Sequence, residues 1–221
     1  MKRISIIVEG PTEQVFCENI LQPYFNLKDI YLYPSLIKKS KGGMVHWSNI
    51  KKQIENYLRH DKNVYVSTML DFYGIYDKHN FPGWINSKSF VDKYERKTIV
   101  EDSMKEEIEE SLRRRFVPYL QLHEFEGLLF SDVDVFKEIY DDEDFNDYDY
   151  LIETINMFPN PEMINDGKET VPSVRLKKRI LRSYDKVSDG YFIAENIGLE
   201  KIRNKCRGFN EWIEKIEEIN K

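Results

Sequence analysis

The first 131 residues alternate between short apolar runs and stretches in which apolar residues recur at helical spacing. Three runs are nearly continuous in apolar residues, a pattern typical of strands buried on both faces: residues 3–8, 30–37 and 63–71. A fourth strand is predicted over residues 115–126, and the first run is predicted to be central. Because helical stretches separate the strands, this order predicts an α/β fold with a mainly parallel sheet and helices on both faces.

The helical stretches can be assigned in more detail. The first helix is predicted to follow Thr12 as its N-cap, the second covers the apolar positions around residues 50–58, and a charged helix is predicted over residues 98–115. Beyond residue 131 the spacing turns helical and is interrupted by prolines. The sequence therefore predicts an α/β domain at 1–131 and a helical extension at 132–221.

The composition fits a globular protein with a polar surface. Hydrophobic residues make up 41% of the chain and charged residues 33%. No run approaches the roughly 20 apolar residues that span a bilayer, which predicts a cytoplasmic protein without a membrane partner. Cys17 and Cys206 have neither a second nearby cysteine nor a histidine cluster, so we expect both to be reduced and buried.

Charge is distributed unevenly along the chain. The formal net charge is −6, which argues against a protein that coats nucleic acid through its overall field. Acids concentrate at residues 140–150 and bases at residues 175–186. Arg175, Lys177 and Lys178 could hold a nucleic-acid backbone. Equally, the basic helix could simply lie against the acidic segment.

Carboxylates follow the predicted strands at their carboxyl ends. Glu9 follows the first strand, Asp71 ends the third, and Glu124 and Glu126 close the fourth. Parallel sheets bind ligands at this edge, and the acids are expected to meet in one crevice. Carboxylates this close repel one another unless a cation compensates. Oxygen ligands without cysteine favour Mg²⁺ or Mn²⁺ over zinc.

Several neighbouring residues have both a functional and a simpler interpretation. Gly10 permits a tight turn, and the helix after it could attract a phosphate. Glu13 could be a second acid of the site or only cap that helix. His123 could shuttle protons or be a structural hydrogen-bonding residue. Ser173 is best explained as an N-cap after a proline. The glycine-containing loop at residues 39–43 could contact substrate or merely connect.

The stretch Glu9-Gly10-Pro11-Thr12-Glu13, on a turn from strand to helix, resembles the first motif of Toprim domains. This is the catalytic fold of topoisomerases, primases and the OLD family of nucleases. Further stretches extend over nearly the whole chain a resemblance to an uncharacterised group of bacterial OLD-like Toprim proteins: "MLDFYG", "FPG", "LHEFEGLLF", "NPEMINDGKETVPSVRL" and "YDKVSDGYFIAENIGLEKIRNKCRGFNEW". The resemblance implies a Toprim-like sheet and metal-dependent phosphoryl transfer.

The resemblance also implies roles for individual residues. Glu9 matches the first-motif glutamate, a metal ligand or general acid/base, and Glu13 matches the second acid of that motif. Asp71 matches the first aspartate of the DxD pair, whereas Tyr73 replaces the second, which removes a ligand. Glu124 and Glu126 could supply the missing charge. Lys186 matches a late lysine that would steady the phosphate in transfer.

These observations favour a Mg²⁺-dependent nuclease of a bacterial defence or mobile-element system, acting on nucleic acid, on DNA before RNA. The chain has no GxxxxGK[ST] loop, so the ATPase that accompanies such proteins would be a separate chain of the ABC or AAA type. A homodimer stays open. The alternative is a catalytically silent Toprim-like binding module that regulates such an ATPase, which Tyr73 and the net acidity favour.

Overall fold

The computed structural model describes residues 1–40, 43–165 and 167–220. The chain forms two compact units: Met1–Leu122 together with Trp212–Lys221, and His123–Glu211. The division therefore follows Leu122 and not residue 131, and the last residues belong with the sheet and not with the helical part. Lys41 and Gly42 of the predicted loop, and Asp166 of one motif, lie outside the described residues.

The first unit contains a five-stranded sheet whose strands pair in parallel. The strands are β1 (Lys2–Val8), β2 (Ile30–Leu36), β3 (Val64–Asp71), β4 (Phe116–Val117) and β5 (Leu120–Gln121). Their order is β2-β1-β3-β4, and β5 also pairs with β3. This confirms the predicted α/β class and the central place of β1, whose Ile4, Ile6, Ile7 and Val8 are fully buried.

Helices cover the sheet in the first unit. They are α1 (Pro11–Phe16), α2 (Gln22–Asn26), α3 (Trp47–His60), α4 (Trp84–Ser87), α5 (Lys93–Glu107) and α6 (Glu110–Arg113). A π-helical turn, Cys17–Leu21, joins α1 to α2. The N-cap of α1 is Gly10, not the predicted Thr12, and Pro11 occupies the first helical position. Proline suits that position because its backbone needs no N–H there.

Helix α5 begins earlier and ends sooner than the predicted 98–115. The Asp92 side chain accepts a hydrogen bond from the backbone N–H of Glu95 at 2.8 Å and so caps its first turn. The buried face of α5 includes Lys97 and Glu101, which form an ion pair at 2.8 Å with both side chains 5% exposed. Charged residues at core positions hide the helical periodicity on which the prediction depends.

The predicted fourth strand, 115–126, is two short strands, and it ends before the acids. Pro118 lies between β4 and β5, and a proline has no N–H to continue the ladder. Strand β5 ends at Gln121, so Glu124 and Glu126 lie beyond the strand. They instead flank or belong to a 3-10 helical segment, Phe125–Phe130.

Two glutamine side chains cover the outer edge of β2. Gln22 Oε1 accepts a hydrogen bond from the Leu32 N–H at 2.7 Å, and its Nε2 donates to the Ile30 carbonyl at 3.4 Å. Gln53 Nε2 donates to the Leu36 carbonyl at 3.1 Å. The amides thus satisfy backbone groups that an edge strand otherwise leaves open.

The carboxyl-terminal residues complete the first unit. The indole ring of Trp212 stacks on the Tyr119 ring with centroids 4.5 Å apart and an interplanar angle of 8°. Its Nε1–H donates to the Ser67 hydroxyl on β3 at 2.9 Å. Both contacts are buried, so this tryptophan belongs to the core of the unit that carries the sheet.

The second unit is helical, as predicted. Its helices are α7 (Asp134–Ile139), α8 (Tyr148–Met157), α9 (Pro172–Arg175), α10 (Ser188–Ile197), α11 (Leu199–Lys205) and the start of α12 (Arg207–Glu218). Glu162 is fully buried, and its carboxylate accepts backbone N–H bonds from Gly208 at 2.7 Å and Phe209 at 3.0 Å. This acid therefore caps the first turn of α12.

Two further expectations concern the whole chain. Cys17 and Cys206 are buried with free thiols, as predicted. Among the helices of the described residues, none has the length and apolar character needed to cross a bilayer.

Candidate functional site

Glu9 and Asp71 lie side by side at one edge of the first unit's sheet. Strands β1 and β3 are parallel neighbours, with Val8 paired to Met69, so both strands deliver their acids to the same edge. The backbone N–H of Asp71 donates to Glu9 Oε2 at 3.2 Å. Both residues are half-buried. The structure thus brings together two of the acids that the strand ends predict.

A glycine leaves room beside the Glu9 carboxylate. The turn that follows β3, Phe72–Gly74, is a single 3-10 turn. A Cβ atom built on Gly74 would lie 3.5 and 3.6 Å from the two carboxylate oxygens of Glu9. Tyr73, which stands where the resemblance places a second aspartate, belongs to the same turn and is half-buried.

Gly10 and Glu13 are joined by a hydrogen bond at the start of α1. The Gly10 N–H donates to Glu13 Oε2 at 3.0 Å, and Glu13 is 7% exposed. The Glu13 carboxylate therefore occupies the Gly10 N–H, and the binding of a phosphate at the helix start after Gly10 stays a prediction. For Glu13 the geometry supports the simpler of the two interpretations, a cap for the helix.

Glu124 and Glu126 belong to the second unit, together with Lys186. Glu126 is 2% exposed, and Lys186 Nζ lies 2.8 Å from its Oε1. Glu124 Oε2 accepts the backbone N–H of Ser173 at 3.1 Å, at the start of α9. Ser173 is therefore not the N-cap of that helix, since Val171 holds that position. The Lys186 side chain is 54% exposed and pairs with an acid of the predicted site.

Burial and the charge of a neighbouring acid shift the pKa of Glu124. Burial raises the pKa of Glu124, and the negative charge of Glu126 raises it further, while the hydrogen bonds from Ser173 and the charge of Lys186 act in the opposite direction. Burial likewise raises the pKa of the Tyr184 phenol far above its usual range, with Glu126 as the strongest charge. The sequence reasoning missed Tyr184, although it lies in the same motif as Lys186.

The predicted substrate-binding bases separate into one buried and two exposed residues. Arg175 is 2% exposed, and its guanidinium donates to the Thr170 carbonyl at 2.6 Å and to the Tyr150 hydroxyl at 2.7 Å. The prediction that Arg175 binds substrate is therefore wrong, because the side chain is enclosed in the second unit. Lys177 and Lys178 are exposed, in keeping with either a binding or a solvated role.

The basic segment also lies against the acidic one, as the alternative interpretation expects. The Asn146 N–H donates to the Ile180 carbonyl at 2.8 Å, and the Arg182 N–H donates to the Asp144 carbonyl at 2.8 Å. Phe145 and Leu181 form an isolated antiparallel bridge between these bonds. Backbone hydrogen bonds therefore connect the two segments.

His123 has a structural environment. Its backbone is in the left-handed region, with φ of 67°, and the residue is 7% exposed. Its Nδ1 lies 3.0 Å from Asn165 Nδ2, which supports the structural hydrogen-bonding interpretation over a proton shuttle.

The acidic pairs can be compared with the ligands that Mg²⁺ requires. In the part of the chain that the structure describes, no group of three or more His, Cys, Asp or Glu side chains is arranged to hold a metal ion. Mg²⁺ is usually held by one or two carboxylates, with waters and substrate phosphates completing an octahedron. Glu9 and Asp71, with the room left by Gly74, fit that requirement.

The fold and these carboxylates define an α/β protein with a parallel sheet that carries acids where such sheets bind their ligands. The chain belongs to the family described as Domain of unknown function (DUF4276), whose model matches residues 8–217. No curated protein and no solved structure matches it. The matched range includes every candidate residue, from Glu9 to Lys186.

Proposed function

We propose that the protein is a Mg²⁺-dependent phosphodiesterase that hydrolyses nucleic acid, a nuclease of the OLD-like Toprim kind. The observation that carries this proposal is the Glu9–Asp71 pair, in which the Asp71 N–H orients the Glu9 carboxylate at the carboxyl edge of two neighbouring parallel strands. The resemblance of residues 9–13 to a Toprim motif supports the same chemistry.

The candidate residues would have different roles in the proposed reaction. Glu9 and Asp71 supply hard oxygen ligands, and bound Mg²⁺ would polarise the phosphodiester and activate water. The backbone hydrogen bond from Asp71 fixes the Glu9 carboxylate before any ligand arrives, which lowers the cost of organising the site. The resemblance assigns added negative charge to Glu124 and Glu126 and the steadying of a phosphate to Lys186, and these three residues lie together in the second unit.

The expected partners follow from the surface and from the resemblance. The exposed bases Lys177 and Lys178 suit contact with a phosphate backbone, DNA ahead of RNA. The resemblance adds a separate ATPase of the ABC or AAA type, a cytoplasmic setting and a role in bacterial defence or in mobile elements. A homodimer is compatible with this proposal.

The test is cleavage by the purified protein with Mg²⁺ or Mn²⁺, on single- and double-stranded DNA and RNA. Glu9→Gln and Asp71→Asn should each lower the rate by more than about 100-fold, beyond the loss typical for groups that only support metal ligands. Glu18→Gln is the matched control, since this exposed acid lies farther along the same helical segment. Equal rates in all variants would refute the proposal.

A second candidate is a silent binding module that regulates a partner ATPase. Tyr73 favours it, because a tyrosine cannot replace the aspartate ligand of a DxD pair. The Lys186–Glu126 ion pair also favours it, because it compensates a predicted ligand without a metal. A protein that gives no heat with Mn²⁺, cleaves nothing and changes the rate of its ATPase would establish this alternative.

A further inference from the structure

Two aromatic rings of the first unit support the guanidinium of Arg96, a residue in the first turn of α5. Its Cζ lies 5.7 Å from the centroid of the Phe72 ring and 5.9 Å from that of the Trp84 ring. The two rings meet edge to face with centroids 5.4 Å apart, and both residues are buried. The positive charge of Arg96 is therefore fixed by ring faces, which attract a cation but do not replace a carboxylate.

The guanidinium of Arg96 has no hydrogen-bond acceptor among the described residues. Nε is the nitrogen of this side chain that is both buried and unpaired, so the terminal Nη groups of the half-buried residue reach the surface. Two acids that could pair with it have other partners. Asp92, four residues earlier, caps the first turn of α5, and Asp77 pairs with Lys88 and accepts the indole N–H of Trp84 at 2.8 Å.

The turn that supplies one of the rings also belongs to the candidate site. Phe72 directly follows Asp71 in the chain, and Gly74 of the same 3-10 turn lies beside the Glu9 carboxylate. All of these residues are in the first unit, as is Arg96. The guanidinium therefore brings positive charge to the turn that follows the acid of β3.

The charges at this turn favour a phosphate as the ligand. The two carboxylates of the site repel a polyanion unless positive charge compensates them. A guanidinium presents pairs of N–H groups that match phosphate oxygens, which suits arginine to hold a backbone phosphate. The exposed bases that the sequence offers for this contact belong to the second unit: Lys177, Lys178 and Lys186.

We propose that the terminal Nη groups of Arg96 bind a backbone phosphate of the nucleic-acid strand that reaches Glu9 and Asp71. The two rings hold the guanidinium in place before the strand arrives, which lowers the entropy cost of binding. This role rests on the proposed function, because it takes nucleic acid as the ligand, and it makes Arg96 a substrate-binding residue that the sequence reasoning missed.

Fluorescence anisotropy with a labelled single-stranded DNA oligonucleotide, and with its RNA counterpart, tests this role. Ca²⁺ takes the place of Mg²⁺, since it binds the same kind of oxygen ligand. Arg96→Met keeps an unbranched stem on the rings and removes the charge. It should weaken binding about 10-fold and reduce the slope of log affinity against log salt by roughly 0.7, the value for one phosphate of a single strand. Arg96→Lys should keep the slope, because it keeps the charge.

Arg114→Met is the matched control. Arg114 is an exposed arginine of the same unit without an ion pair in the described part of the chain, and its variant should keep the wild-type affinity and slope. Arg96→Met should melt within about 3 °C of the wild type, since the rings stay covered. Weaker binding with a lower melting temperature in both Arg96 variants would show that Arg96 only packs α5, and would overturn the inference.

The other outcomes separate this inference from the proposed function. Unchanged affinity and slope in Arg96→Met, with cleavage lost in Glu9→Gln, would overturn the role of Arg96 and leave the nuclease proposal standing. Binding that depends on Arg96 in a protein that cleaves neither DNA nor RNA would support the phosphate contact and remove the nuclease. A wild-type protein that neither binds nor cleaves would overturn both.

Discussion

The backbone N–H of Asp71 donates a hydrogen bond to the carboxylate of Glu9 from the neighbouring strand, with an N···O distance of 3.2 Å. The bond joins the ends of two parallel strands and fixes one acid by means of the other residue's main chain. A substitution of the Asp71 side chain therefore keeps the position of Glu9, so the effect of its carboxylate can be measured separately.

Gly74→Ala should impair cation binding without unfolding the protein. The new methyl group would lie 3.5 Å from Glu9 Oε1, an ordinary contact, so we expect the melting temperature to change by less than about 3 °C. Mn²⁺ affinity, measured by calorimetry, should fall about 10-fold because the methyl group fills the space beside the carboxylate. Gly167→Ala is the control, and equal affinities in both variants would contradict the expectation.

Glu162→Ala should destabilise the second unit. It leaves the buried N–H groups of Gly208 and Phe209 without their charged acceptor, which should cost about 3 kcal/mol in the free energy of unfolding. Glu162→Gln keeps one acceptor oxygen and should cost less. Urea denaturation gives the free energies, and hydrogen exchange at the two amides locates the change. Unaltered exchange there would show that the cap contributes nothing.

Gln22→Val should make the protein associate. The substitution removes the amide that covers the Leu32 N–H and the Ile30 carbonyl, which leaves the edge of β2 open to another chain. Sedimentation over a range of concentrations should then show dimers or larger species. Gln14→Val is the matched control, because that amide only bonds to an exposed acid of its own helical segment. A monodisperse Gln22→Val protein would argue against the covering role.

Glu124→Gln should stabilise the protein increasingly as the pH rises. Because the pKa of Glu124 is raised on folding, the folded state keeps its proton at pH values where the unfolded state has lost it. The wild-type protein therefore loses stability as the pH rises from about 4.3, the usual value for glutamate, through the raised pKa. The glutamine cannot ionise and can still accept the Ser173 N–H.

Denaturation of both proteins between pH 4 and pH 8 measures this difference, with Glu143→Gln as an exposed control. The advantage of Glu124→Gln should be absent at the acidic end and grow toward the neutral end. If the stability of the wild-type protein instead increased relative to that of the variant as the pH rises, folding would lower the pKa of Glu124.

The two inner strands β1 and β3 could be predicted because they are largely buried on both faces and therefore consist of nearly continuous apolar residues. The runs at 3–8 and 63–71 are of this kind, and both are strands. The start of α5 could not be predicted in the same way. The core face of α5 includes Lys97 and Glu101, which neutralise one another. In the sequence, such a buried pair cannot be distinguished from charged residues on a solvated surface.

The candidate site likewise has features that the sequence predicts and features that it does not. The pair of Glu9 and Asp71 follows from strand ends alone, since neighbouring parallel strands must deliver their last residues to one edge. The burial of Arg175 and the cap formed by Glu162 depend on partners from distant segments. Glu162 accepts a hydrogen bond from Gly208, 46 residues later in the chain, and no local pattern encodes such a contact.

The position of Trp212 in the sequence determines when the first unit can finish folding during translation. A ribosome that has just added Leu122 has made every strand of the sheet, but not the tryptophan that stacks on Tyr119 and binds Ser67. Residues 123–211 must leave the exit tunnel first. Part of the apolar interior of the nascent first unit therefore stays uncovered during translation. The first unit can complete its core only after the whole second unit has been translated.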